Sequence, residues 1–69
     1  MKPVSDAFGR VIVAGELVVL RGDFMNQYGL GLVLFTSGSD TTGDPRVYAL
    51  WALRCGVDWV HPSNVEALT

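Results

Sequence analysis

Apolar residues in this chain come in short runs, each bounded by glycine or by a polar stretch. Leu17 to Arg21, Gly29 to Thr36, Arg46 to Leu53 and Val57 to His61 are rich in Val, Leu and aromatic residues. Such runs predict strands. Gly22 to Tyr28, with Gly, Asp and Asn, predicts a long folded-back loop. Ser37 to Pro45 is a polar loop with turn chemistry, and Arg54-Cys55-Gly56 a tight turn. Pro62-Ser63-Asn64 suits one helical turn before a last short strand, Val65 to Leu68. No segment sustains a 3.6-residue period, so helix content should be very low. Five strands between residues 15 and 69 predict an all-β barrel, because closure removes exposed edges. Gly29 and Gly31 fall inside the second predicted strand, where glycine marks a bulge or sharp bend. Residues 1–14 read as an N-terminal arm ahead of the barrel at 15–69. Within the arm, Gly9 and Gly15 bracket Val11-Ile12-Val13, a short strand or a segment that pairs with another chain.

The strands do not alternate cleanly between apolar and polar residues. Leu17 and Val19 oppose Val18 and Leu20. Leu30, Leu32 and Leu34 oppose Val33 and Phe35, and Val47, Ala49, Trp51 and Leu53 oppose Tyr48, Leu50 and Ala52. One face fills the core, and the other is apolar as well. Contiguous apolar surface beyond a few hundred Å² usually marks an interface. The candidate interface residues are therefore Val11, Ile12 and Val13 in the arm and Tyr48, Leu50 and Trp59 on the strands.

Composition strengthens this expectation. The chain has 69 residues, 49% hydrophobic and 17% charged. Soluble domains average about 25% charged residues. A chain this short buries only about 60% of its unfolded surface, and small folds compensate with disulfides, metal or association. A single cysteine, Cys55, excludes an internal disulfide. With one histidine, His61, it cannot supply a four-ligand zinc site. Association remains. No apolar run approaches a membrane span, and the first residues lack the apolar core of a secretory signal, so a cytoplasmic location is expected. Net charge is −2. The five basic residues, Lys2, Arg10, Arg21, Arg46 and Arg54, are scattered, which argues against nucleic acid. The nucleic-acid alternative would use Arg21, Arg46 and Arg54 with Tyr48 and Trp59 as a stacking platform.

Three resemblances bear on the fold. Trp59-Val60-His61-Pro62-Ser63-Asn64-Val65-Glu66-Ala67-Leu68 is similar to the closing segment of Src-homology-3 domains. The resemblance covers Gly15 to Leu68 and implies a small five-stranded barrel with a helical turn before the last strand. The peptide-groove chemistry is poorly matched: Val65 stands where that family has Tyr, and only Asp23 is acidic in the first loop. Trp51, Trp59, Tyr28 and Pro62 are the residues left for a groove, with Trp51 expected in the core. Gly15-Glu16-Leu17-Val18 and Val57 to Leu68 also resemble plasmid-type trimethoprim-resistant dihydrofolate reductases, which are tetramers of such barrels. Their Val-Gln-Ile-Tyr motif is replaced by Val57-Asp58-Trp59-Val60, so the fold analogy survives without the activity. Finally, Gly15 to Val18, Tyr28 to Leu34, Leu50-Trp51 and Trp59 to Glu66 resemble short uncharacterised proteins of tailed bacteriophages. That similarity implies a virion component, for example one that decorates or stabilises a capsid, located in the virion or the host cytoplasm.

No constellation points to catalysis. His61 has Asp58 and Glu66 nearby in sequence but no placed nucleophile, and reads as a hydrogen-bonded residue ahead of the Pro62 turn. Cys55 reads as an unreactive turn residue. Asp40 and Asp44 with Thr41 and Thr42 match no calcium-loop spacing. The expectation is a non-enzymatic, protein-binding barrel. It needs no cofactor, metal or small-molecule substrate, and its partner is itself or a larger assembly.

Overall fold

The computed structural model describes residues 4–38 and 43–68. Its strands are β1 (Leu17–Leu20), β2 (Gly31–Ser37), β3 (Arg46–Trp51), β4 (Val57–Val60) and β5 (Val65–Ala67). One turn of α-helix, α1 (Phe24–Tyr28), lies in the segment expected to be a loop, and a 3-10 turn, Pro62–Asn64, precedes β5. A five-residue helix is too short to leave a periodic signature in sequence. Gly29 ends it: its N–H donates to the Met25 carbonyl at 2.9 Å, and its φ of 70° is one that other residues rarely adopt.

The strands form one antiparallel sheet in the order β4-β3-β2-β1-β5. The fold class is all-β, as the strand pattern implies. Closure is not: β4 and β5 stand at the two ends of the order, as edges. The β5 edge is nonetheless covered. Ala7 N–H donates to the Val65 carbonyl at 3.0 Å, and the Ala67 N–H donates to the Asp6 carboxylate at 2.9 Å. The leading segment thus takes the place that another strand would fill.

That segment corrects the picture of an arm separate from the barrel. Val4 and Ile12 are each only 3% exposed and belong to the same core as Val18, Leu20, Val33 and Val47. The Ile12 N–H donates to the Val4 carbonyl at 2.9 Å, and Ser5 bridges Val11. Residues 4–12 therefore form a tight folded-back hairpin against the domain's own interior. The apolar pair supplies core volume that a chain of this size lacks.

Alternation decides which side chains fill the core. Val18 and Leu20 of β1, Val47, Ala49 and Trp51 of β3, and Val65 and Ala67 of β5 all point inward. In β2 the alternation breaks. Val33 pairs with Ala49, but Phe35, not Leu34, pairs with Tyr48. Leu34 is the extra residue of a bulge. The expectation that Phe35 shares a face with Val33 is corrected here. One inserted residue turns Phe35 outward, beside Tyr48.

Candidate protein-docking face

The outer face is set by register. Leu17 lies opposite Leu32, Leu32 opposite Leu50, and Leu50 opposite Val57. On the other side, the Leu68 N–H donates to the Leu17 carbonyl at 3.1 Å, which extends the line past the end of β5. Residues directly opposite point to the same side. Leu68, Leu17, Leu32, Leu50 and Val57 therefore make one row across the whole sheet, one residue from each strand or its end. Each is 40 to 52% exposed.

A second row lies above the first on three strands. Phe35 stacks on Tyr48 with ring centroids 4.5 Å apart, and Tyr48 lies opposite Trp59. The Arg46 guanidinium sits 4.2 Å from the Trp59 ring centroid, covering part of the indole. Its positive charge is held by the negative π face. Aliphatic and aromatic rows together form one continuous apolar surface bounded by few charges.

Of the interface candidates, Tyr48, Leu50 and Trp59 meet on this face. Val11 and Val13 are about half exposed on the leading segment, whereas Ile12 points into the core of its own chain. Leu17, Leu32, Val57, Leu68 and Phe35 were not singled out by sequence. Only strand register brings them into line, and only the Leu34 bulge adds Phe35.

The edges of the sheet are guarded. At β4 the Trp59 N–H is taken by its neighbour, the Asp58 carboxylate, at 3.0 Å. A charged side chain over a free edge donor is a common obstacle to strand addition. At β5 the obstacle is the leading segment, anchored by Asp6. One carboxylate oxygen of Asp6 accepts the N–H groups of Phe8 at 2.8 Å and Arg10 at 2.9 Å. The other accepts that of Ala67. Burial raises the Asp6 pKa, but the N–H bonds from Ala67, Arg10 and Phe8 and the Arg10 charge outweigh it, leaving the carboxyl below its ordinary 3.8.

A shallow groove of about 220 Å³ lies between α1, β4 and the 3-10 turn, with Phe24, Tyr28, Trp59, His61 and Asn64 in its lining. Of the residues considered for a groove, Tyr28 and Trp59 reach it, while Trp51 is core and Pro62 is buried. The arginines do not converge. Arg21 lies over Phe8 and Arg54 over Tyr28, leaving Arg46 alone with Tyr48 and Trp59.

The polar residues have local structural partners. His61 Nδ1 lies 2.8 Å from the Ser63 hydroxyl and accepts the Ser63 N–H at 3.1 Å, capping the 3-10 turn. Cys55 is a free, exposed thiol. Among the described residues no group of three His, Cys, Asp or Glu side chains could hold a metal ion, and no helix is long and apolar enough to cross a membrane. Asp40, Thr41 and Thr42 lie outside the described residues. No protein-family profile matches the chain, and no curated protein or solved structure matches it either.

Proposed function

We propose that this chain is a non-enzymatic docking module. In this reading it is a Src-homology-3-like domain that works by burying its outer sheet face against another polypeptide. The strand order and the 3-10 turn ahead of β5 support the fold assignment. The observation that carries the function is the uninterrupted row Leu68, Leu17, Leu32, Leu50 and Val57, joined by Phe35, Tyr48 and Trp59. At about 25 cal/mol per Å², covering several hundred Å² of this face contributes several kcal/mol before the costs of association. The pattern similarity to tailed-phage proteins makes a virion surface, built from many copies, the setting we favour. A nucleic-acid platform draws less support, because Arg46 is the one arginine at the aromatic row.

The test is a Leu32→Lys, Leu50→Lys double variant compared with wild type. Both residues lie outside the core, so the circular dichroism spectrum and melting temperature should hold. Wild type should bind an apolar dye such as bis-ANS or associate as concentration rises, and the variant should do neither. Wild type that remains a single 7.5 kDa species at high concentration and binds no dye would overturn the proposal.

A further inference from the structure

On the docking reading above, we infer that the outer face is covered by a second copy of this chain. The two sheets pack face to face with strands crossing roughly at right angles, one of the two recurrent arrangements of packed sheets.

Three observations lead there. The first is the state of the edges. The leading segment occupies the β5 edge through Ala7 and Asp6, and Asp58 covers the Trp59 donor on β4. Strand-to-strand addition would have to displace these groups, whereas contact through the face displaces nothing but water.

The second is area. A standard interface takes about 800 Å² from each partner. Eight side chains of the face, most of them about half exposed, supply several hundred Å² between them. Such a surface needs an apolar partner of similar extent. The chain itself presents one, in equal amount.

The third is charge placement. Arg46 stands on β3, four positions before Leu50 and on the same face. Glu66 stands on β5, two positions before Leu68, also facing out. Because β3 and β5 are each reached through antiparallel pairings, these offsets run in opposite directions from the aliphatic row. Arg46 and Glu66 thus lie on opposite sides of the aliphatic row, with β2 and β1 between their strands. A two-fold axis lying in the interface, perpendicular to the line joining them, brings Arg46 of each copy onto Glu66 of the other. The same operation crosses the strands, and with them the two aliphatic rows, which meet over Leu32 and Leu50 near their middle. A two-fold contact must be self-complementary, and the placement of Arg46 and Glu66 makes this face so in charge.

Sedimentation equilibrium of the full chain tests the inference. Wild type should run at twice 7.5 kDa. Arg46→Glu and Glu66→Arg should each raise the dissociation constant by about tenfold or more, because each places like charges together. The double swap R46E/E66R should restore dimerisation. Melting temperature checks that each variant is folded, and Leu50→Lys provides a dissociated reference. Three results would overturn the dimer: a monomeric wild type, single reversals without effect, or a double swap that fails to recover. A monomer that still binds bis-ANS would leave the docking face intact with a different occupant. A monomer that binds no dye would remove both proposals.

Discussion

Gly31 and Trp51 lie directly opposite each other on β2 and β3, and the indole occupies the space where any other residue at position 31 would place its β-carbon. A β-carbon there would stand 2.6 Å from Trp51 Cε3 and closer still to Cζ3. Trp51 is fixed in turn by its Nε1–H, which donates to the Asp58 carbonyl at 3.3 Å. Gly31→Ala should therefore displace the indole and cost about 1–3 kcal/mol. Urea unfolding gives the loss, and a shift in tryptophan emission reports the displaced ring.

Asp6 links the leading segment to β5, and its loss should be felt well beyond the turn it sits in. Asp6→Ala removes the acceptor for Phe8, Arg10 and Ala67. Buried donors left unpaired cost about 1–3 kcal/mol each, less where water reaches them, so a total near 3 kcal/mol is expected. Amide hydrogen exchange should show the Ala67 N–H losing protection in the variant.

The same carboxylate sets an acid limit on stability. Its folded pKa lies below the ordinary 3.8, so the unfolded chain takes up its proton first as pH falls. The contribution is complete above the unfolded value and is lost as pH drops through the folded one. The urea midpoint should hold between about pH 7 and pH 5 and decline below about pH 4. In Asp6→Asn the midpoint should start lower at neutral pH and fall less on acidification. An equal decline in both proteins would exclude Asp6 as the source.

Asp58 has a different task, on the β4 edge. Asp58→Ala exposes the Trp59 N–H without touching the core, so stability should change by less than about 1 kcal/mol. Aggregation on prolonged incubation should nevertheless be faster, as followed by thioflavin fluorescence, because an unguarded edge invites strand pairing.

The two faces of β3 should respond oppositely to truncation. Val47 has no exposure, and Val47→Ala should cost about 2 kcal/mol. Leu50 is 43% exposed, and Leu50→Ala should cost at most about 0.5 kcal/mol in dilute protein. Denaturation of both at one low concentration provides the comparison.

Local chemistry made part of this protein legible from its residues alone. Val-rich and Leu-rich runs between glycine and polar turns marked five strands, and Pro62-Ser63-Asn64 marked the 3-10 turn, because turn residues and β-branched runs act within a few positions. The presence of two apolar faces was also legible, since Tyr48 and Leu50 alternate with Val47 and Ala49. Which face would be buried was not, for both faces read alike. Tertiary packing decided it, by placing Val33, Val47, Val18 and Val65 against one another. Packing also decided that Ile12 belongs inside and that Phe35 turns outward at the Leu34 bulge. The aliphatic row from Leu68 to Val57 depends on the pairing of five strands, and pairing register is a relation between distant segments that no single run of residues encodes.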